Sequence, residues 1–178
     1  MGLIALDTFT TPRLQAERLT PDHRDEIARM HQDPAVMAYL GGVRDADQTR
    51  EYLERNLAHW DRYGFGLWIL RGPAGGEMIG RAVLRHLTLE DRDEIETGYA
   101  FYRPYWGRGL ATEVARKCVA MGFEILGAES IVGLTLPTNR ASQHVLTKTG
   151  MSRDRELEHA GSLHVLFGIT RPAWARAG

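Results

Sequence analysis

The sequence predicts a fold of the α/β or α+β class with one mixed sheet, and three observations favour it. Strand-like and helix-like segments alternate along the chain in the order β-α-α-β-β-β-α-β-α-β-β. This order contains hairpins, which join antiparallel strands, and two β-α-β crossovers, which join parallel strands. The length of 178 residues, with 43% apolar and 25% charged residues, is ordinary for a globular domain. We therefore expect one domain over residues 1–178, built on about seven strands.

The first half of the chain predicts a strand, two helices and a hairpin. Residues 12–20 alternate apolar and polar side chains, as a half-buried strand does. A short helix follows, with a Thr-Pro pair at its start and a proline at its end. A second helix runs from Asp45 or Asp47 to Gly64, because its apolar residues recur with helical spacing. Two apolar runs, residues 64–72 and 77–89, then flank a glycine-rich turn and predict strands two and three.

The second half predicts alternating strands and helices. Residues 93–102 form a fourth strand, and from Leu110 two apolar stripes mark a long helix that must pack on a sheet. Residues 129–136 form a fifth strand, which a short helix capped by Asn139 follows. The remaining strands surround the turn at residues 158–162. We expect loose termini at residues 1–10 and 171–178.

Charge and cysteine content exclude several classes of function. The formal net charge of −1 gives no overall basic field that would draw a nucleic acid or an anionic membrane. The single cysteine, Cys118, excludes an internal disulfide, fits a reducing cytoplasm, and lies on an apolar stripe that favours core packing over a nucleophile role. The seven histidines lack metal-ligand spacing. We expect a cytoplasmic protein without a metal, a nucleic-acid partner or a membrane partner.

The segment YWGRGLATEVARK, residues 105–117, carries the clearest chemical signal. Gly107 and Gly109 lack a Cβ, so the backbone can turn sharply there and approach a ligand. The helix that starts near Leu110 presents unpaired N–H groups and a partial positive charge at its first turn. These features predict an anion site that suits a pyrophosphate; the alternative is a tight strand-to-helix turn and nothing more. Thr112 replaces the third glycine of a dinucleotide fingerprint, and no lysine follows as in a Walker loop.

Two longer segments resemble a known family. ETGYAFYRPYWGRGLATEVARK and LPTNRASQHVLTKTGM are similar to the GNAT superfamily of acetyl-CoA-dependent N-acetyltransferases, and within it to the ribosomal-protein alanine N-acetyltransferase branch. The resemblance implies a mostly antiparallel twisted sheet with helices on both faces and a V-shaped gap between strands four and five. It also implies that acetyl-CoA gives its acetyl group directly to a primary amine, of a protein N-terminus or a small molecule, in a ternary complex. A homodimer is compatible with this resemblance.

The resemblance assigns residues to the cofactor. Main-chain N–H groups of the loop and first helical turn would hold the pyrophosphate, namely those of Trp106, Gly107, Arg108, Gly109, Leu110, Ala111 and Thr112. The pantetheine would pair with the strand edge at Tyr99, Ala100 and Phe101, and Asn139 would contact the cofactor. Pro104 departs from the family signature and cannot donate an N–H. One phosphate contact would therefore come from elsewhere, for example from Arg103 or Arg108.

Two catalytic residues follow from the same resemblance. Glu96, two residues before Gly98 on the fourth strand, matches a carboxylate that would remove the proton of the amine, directly or through a water. Ser142 matches a serine that would donate a hydrogen bond to the departing sulfur, whereas Leu146 stands where many relatives have a tyrosine. The alternatives are a solvated strand residue for Glu96 and a helix first-turn residue for Ser142. A chain that binds acyl-CoA without catalysis is the competing function.

The acceptor side is predicted less sharply. Tyr39 and Tyr63 lie in segments that line the acceptor cleft in relatives, and we expect them to bind the amine. The acidic run at residues 89–96 would favour a cationic substrate through its field, or would be a solvated loop. The identity of the amine has no signature in the residue spacing.

Overall fold

A computed structural model describes residues 6–177, and these form eight strands and six α-helices. The strands are β1 Thr8–Thr10, β2 Gln15–Arg18, β3 Leu67–Gly72, β4 Gly75–Leu89, β5 Arg92–Phe101, β6 Ser130–Thr135, β7 Ser152–His159 and β8 Ser162–Thr170. The helices are α1 Arg24–Gln32, α2 Pro34–Met37, α3 Ala46–Tyr63, α4 Leu110–Glu124, α5 Arg140–Lys148 and α6 Arg171–Ala177.

The strands are hydrogen-bonded in the order β1-β2-β3-β4-β5-β6-β8-β7. The pairs β1–β2, β2–β3, β3–β4, β6–β8 and β7–β8 are antiparallel. Strands β5 and β6 are parallel, with Glu96 opposite Val132. The predicted mixed sheet is confirmed, and the parallel pair is consistent with a gap between the fourth and fifth predicted strands, which are β5 and β6.

The chain comprises two compact units, and boundaries between them fall within β4 and within β5. The first unit comprises the chain up to Val83 together with Tyr99–Leu110. Its core holds Trp60 of α3 and Trp68 of β3, whose rings meet edge to face at 5.4 Å. The Trp60 indole also donates to the Leu67 carbonyl over 2.8 Å, so α3 is fixed on β3 by both packing and a buried hydrogen bond.

The second unit comprises Leu84–Gly98 and the chain from Ala111 onward. Its long helix packs closely on β6, because a Cβ at Gly122 would lie only 2.5 Å from Ile131 Cδ1. Gly133 of β6 makes similar room for Leu146 of α5, at 2.7 Å from its Cδ2. Cys118 of the long helix is fully buried, as its position on the apolar stripe predicts. Burial raises the pKa of its thiol to about 12, which leaves it a core residue and a poor nucleophile.

The prediction of loose ends is wrong for the part of the termini that the structure describes, residues 6–10 and 171–177. Residues 8–10 pair with β2 as an additional strand, and Phe9 meets Trp68 at 5.2 Å. At the other end Trp174 of α6 stacks on Phe123 at 5.1 Å, and Arg171 donates to the Phe123 and Ala128 carbonyls. Apart from the β1–β2 pairing, these contacts join residues distant in sequence, which local periodicity does not reveal. Among residues 6–177, no helix is both long and apolar enough to cross a membrane.

Candidate active site

The loop between β5 and α4 presents main-chain amides at two left-handed glycines. Gly107 and Gly109 have φ angles of 71° and 77°, a conformation that is costly for any residue with a Cβ. Nothing lies within 4 Å of the place a Cβ would occupy at Gly107. Within residues 6–177, no main-chain carbonyl accepts a hydrogen bond from Gly107, Arg108 or Gly109. These N–H groups, followed by the first turn of α4, can therefore donate to an anion.

The Trp106 amide does not belong to this donor set. A 3-10 turn at Arg103–Tyr105, which Pro104 favours, directs the Trp106 N–H to the Arg103 carbonyl at 3.1 Å. The predicted phosphate contact from the Trp106 amide is thus replaced by an internal hydrogen bond. The Trp106 indole Nε1 donates to the Phe101 carbonyl over 2.7 Å, and this hydrogen bond holds the start of the loop against the end of β5.

Arg13, which precedes β2, contacts this loop, and the sequence does not indicate it. Its Nη1 donates to the Arg108 carbonyl over 2.7 Å, and its Nη2 lies 3.5 Å from a Cβ built on Gly109. The guanidinium therefore holds the peptide between the two left-handed glycines from one side. Arg13 and Arg108 are 95 residues apart, so no spacing in the sequence relates them.

Glu96 is a buried carboxylate with a fixed partner. Glu96 lies on β5 and is only 8% exposed to solvent. Its Oε2 accepts a hydrogen bond from Arg85 Nε of β4 over 2.7 Å. A buried charge requires such compensation. The alternative of a solvated strand residue is therefore wrong, and the ion pair fixes the direction of the carboxylate.

The start of α5 brings Asn139 and Ser142 together. The Asn139 side-chain oxygen accepts from the Ser142 N–H over 3.1 Å, which confirms the predicted N-cap. Gln143 donates to the Leu136 and Pro137 carbonyls and holds the preceding turn. The Asn139 oxygen is thus occupied by the helix, and its amide NH₂ is the group through which it could donate to a ligand. Leu146, at the position of the family's tyrosine, is buried against Gly133.

The predicted acceptor residues lie on separate elements of the first unit. Tyr39 is 44% exposed in the segment after α2. Tyr63 ends α3 and packs at 4.6 Å from the His59 ring. The acidic run at residues 89–96 is a tight hairpin rather than a loop, because Glu90 and Asp91 have φ angles of 47° and 62°.

The acids of this hairpin are largely paired within the second unit. Glu90 pairs with Arg155, Asp93 with His86, and Glu94 accepts from the Ser130 hydroxyl.

A groove of about 530 Å³ lies in the second unit, beside α5, and none of the predicted site residues lines it. No group of three or more His, Cys, Asp or Glu residues that could hold a metal ion occurs in the described part of the chain.

Comparison with known proteins gives a consistent result. Residues 13–152 match the family model described as an acetyltransferase (GNAT) domain. An uncharacterized protein of Bacillus subtilis (strain 168), YkkB, is 38% identical over 119 residues, which are 67% of this chain and 69% of that protein. The FsC-acetyl coenzyme A-N(2)-transacetylase of Aspergillus fumigatus is 29% identical over 195 residues, with 99% of this chain and 81% of that protein covered.

Solved structures share the fold. An acetyltransferase from Agrobacterium tumefaciens superposes with a TM-score of 0.82 at 24% identity, covering 96% of this chain and 98% of that one. The ribosomal-protein-S5-alanine acetyltransferase of Vibrio fischeri gives a TM-score of 0.75 at 16% identity, with 94% and 98% covered. At these identities the two superpositions show a shared fold.

Proposed function

The chain belongs to the GNAT acetyltransferase family, and we propose that it transfers the acetyl group of acetyl-CoA directly to a primary amine. The observation that carries this proposal is the β5–α4 loop, where Gly107 and Gly109 are left-handed and no main-chain carbonyl of residues 6–177 accepts from the amides of residues 107–109. Such a concave set of donors at a helix start suits the diphosphate of coenzyme A. The Aspergillus relative is named an acetyl coenzyme A transacetylase, which supports the same cofactor.

Other residues would hold the rest of the coenzyme. The amides of Leu110, Ala111 and Thr112 extend the donor set into the first turn of α4. The edge of β5 at Tyr99 and Ala100 would pair with the amide groups of the pantetheine arm. The Phe101 carbonyl already accepts from Trp106, so this residue would contribute its N–H or side chain. Asn139 would donate through its amide NH₂.

The amine must lose a proton before it can attack. An α-amino group with a pKa of about 8, or a lysine amine of about 10.4, is mostly protonated at neutral pH. Glu96 would accept that proton, directly or through a water, while Arg85 keeps its carboxylate oriented. Bound acetyl-CoA supplies the thioester carbonyl. A main-chain N–H of β5 near Tyr99–Phe101 would stabilise the negative charge that develops on the oxygen of this carbonyl. The Ser142 hydroxyl would donate a hydrogen bond to the departing sulfur.

The acceptor is an amine of a protein N-terminus or of a small molecule, and Tyr39 and Tyr63 would contact it. The name N(2)-transacetylase of the Aspergillus relative supports an amine as the acceptor. A cytoplasmic location is proposed with this function, since acetyl-CoA chemistry and the lone buried Cys118 both suit a reducing compartment.

The test is thiol release from acetyl-CoA across a panel of peptides, polyamines, amino acids and aminoglycoside-like amines, with mass spectrometry to detect one added acetyl group. The proposal expects at least one amine to gain 42 Da, a mass fixed by the acetyl group itself, together with stoichiometric thiol. Tight coenzyme A binding without thiol release from any amine would instead favour the non-catalytic acyl-CoA module. A missing binding signal at high micromolar coenzyme A would contradict both.

A further inference from the structure

The first unit contains a buried cationic cluster that the transfer chemistry does not use. Its members are His31 of α1, Arg44 of the segment before α3, Tyr52 of α3 and Arg81 of β4. Arg44 and Arg81 both lie over the Tyr52 ring, at 4.8 Å and 5.3 Å from its centroid. Two guanidinium groups on one aromatic ring concentrate positive charge in a small volume.

Arg81 is the unusual member. Arg81 is only 7% exposed to solvent, and its buried Nε has no hydrogen-bond partner among residues 6–177. The main chain of Arg81 pairs with Ile69 of β3, but within residues 6–177 no hydrogen bond or ion pair involves its side chain. The guanidinium cannot deprotonate in a protein, so its charge remains when it is buried. A buried charge without a counter-ion is costly, and an anion from outside the chain would offset that cost.

Tyr52 offers a second unused donor at the same place. The residue is 4% exposed, and its hydroxyl is buried without a partner among the described residues. Buried hydroxyl groups in proteins are usually hydrogen-bonded. The two polar groups without a partner therefore belong to neighbouring side chains, since the Arg81 guanidinium lies 5.3 Å from the centroid of the Tyr52 ring.

His31 does not neutralise the cluster. Its Nε2 lies 3.1 Å from Arg44 Nη1, which can only donate, so Nε2 accepts and the proton lies on Nδ1, facing Thr49 Oγ1 at 3.0 Å. Burial and the two arginines lower the pKa of His31 to about 3. The imidazole is thus a neutral acceptor at physiological pH, and the positive charge of the cluster is that of the arginines.

The cluster lies next to the part of β5 that the proposed function gives to the pantetheine. Gly80, the neighbour of Arg81 on β4, is so close to β5 that an added Cβ would lie 2.6 Å from the Ala100 oxygen. The Tyr102 N–H donates to the Ile79 carbonyl over 3.1 Å on the other side of Gly80. Arg81 therefore lies on the strand that neighbours β5 beside the residues proposed to hold the pantetheine.

The geometry points to a carboxylate-binding subsite in which Arg81 and the Tyr52 hydroxyl receive an acidic group of the acceptor. The inference rests on the proposed function and narrows it: the substrate is a small amine that also carries a carboxylate. A planar carboxylate matches the two parallel N–H donors of a guanidinium, and the pair replaces the missing counter-ion. The acceptor would reach Arg81 past the segment at residues 38–44, where Arg44 is half-buried and Tyr39 is exposed.

The first test compares matched acceptors. Glycine, β-alanine, 4-aminobutyrate and 6-aminohexanoate are each assayed against the corresponding amide, with thiol release and mass spectrometry as readouts. At least one acid is expected to exceed its amide in kcat/KM by tenfold or more. Amides that equal or exceed their acids throughout, while amines are acetylated, would overturn the subsite and leave the proposed function intact.

The second test assigns the preference to Arg81. Arg81→Met keeps the apolar stem and removes the charge. We therefore expect the ratio of kcat/KM for the acid to kcat/KM for its amide to fall to about one, while the KM for acetyl-CoA changes less than twofold. The melting temperature rises, because the uncompensated charge is gone. Tyr52→Phe is expected to lower this kcat/KM ratio about threefold. The control is Arg55→Met, at an exposed arginine of α3, which should change neither the ratio nor the melting temperature. A ratio that survives Arg81→Met would show that Arg81 holds only water.

A binding readout separates this inference from the proposed function. With coenzyme A present, N-acetyl-4-aminobutyrate is titrated calorimetrically against its amide. The acid is expected to bind at least tenfold more tightly to the wild type and equally to Arg81→Met. Equal affinities for the wild type would contradict the subsite, whether or not any amine is acetylated.

Discussion

At the scale of single residues, Glu96 is the group whose environment is most consistent with proton transfer. Its carboxylate is buried in the second unit, and Arg85 Nε holds it at 2.7 Å. The sequence indicates the residue through its position before Gly98, yet it contains no sign of Arg85 as partner. That contact depends on the register between β4 and β5.

Replacing Glu96 with Gln tests this role. We expect Glu96→Gln to lower kcat by about 100-fold or more, because general base catalysis typically contributes 10²–10⁴-fold. The Kd for acetyl-CoA should change less than twofold, since the base does not contact the coenzyme. Stopped-flow thiol release gives the first value and calorimetry the second. Glu94→Gln, on the same strand, is the control, and equal losses in the two variants would refute the role of Glu96.

The lowered pKa of His31 leads us to predict that the free energy of unfolding depends on pH. Its folded pKa of about 3 lies below the ordinary value of 6.5, so the unfolded chain binds more protons between these values. The His31 contribution to stability is therefore present above pH 6.5 and is lost as the pH falls toward 3. Between pH 7 and pH 5 the free energy of unfolding should decrease by about 2 kcal/mol more in the wild type than in His31→Gln. Urea unfolding at both pH values measures it, and identical pH slopes would disprove it.

At the scale of elements, the β5–α4 loop combines what sequence reasoning finds with what it misses. The two glycines are visible in the sequence, because each left-handed position favours glycine. The Arg13 contact and the internal bond of the Trp106 amide are not visible, since the first is a tertiary contact and the second depends on the turn that Pro104 forms. The geometry of the loop therefore required the structure.

Arg13 is expected to position this loop. Arg13→Ala removes the donor to the Arg108 carbonyl, so the amides lose their fixed arrangement and coenzyme A should bind about three- to tenfold more weakly. Arg13→Lys should restore part of the affinity, because it retains a charged donor. Calorimetric titration of coenzyme A measures both, with Arg24→Ala on the exposed face of α1 as the control. An unchanged affinity in Arg13→Ala would show that the loop needs no such support.

The β7–β8 hairpin offers a stability prediction away from the site. Ala160 and Gly161 have φ angles of 49° and 77°, so an alanine occupies a left-handed position in an exposed two-residue turn. Ala160→Gly should raise the free energy of unfolding by about 0.5–1 kcal/mol, since the relief of about 1–2 kcal/mol exceeds the added entropy of the unfolded chain. Ala58→Gly, in the middle of α3, should lower it by about 1 kcal/mol. Urea unfolding that gives the same sign for both would refute this account.

At the scale of the whole molecule, the sequence predicts the fold class well because its periodicities are strong. The apolar stripes of α4 and the Asn139 cap of α5 correspond to the structure, and the family model covers residues 13–152. Strand β1 escapes prediction, because three residues form a strand only through pairing with β2. The cluster around Arg81 also escapes it, because a buried arginine cannot be distinguished from an exposed one by local pattern.

The measurement that tests the central claim most directly is the calorimetric titration of coenzyme A into the wild type and two glycine variants. Gly107→Ala and Gly161→Ala both place a Cβ at a left-handed glycine with nothing within 4 Å, so the backbone strain they add is comparable. If loop amides bind the diphosphate, Gly107→Ala should weaken coenzyme A at least tenfold, because the new methyl group occupies the space of the ligand, while Gly161→Ala keeps the wild-type affinity. Equal affinities in all three proteins, or no binding to the wild type, would contradict the account.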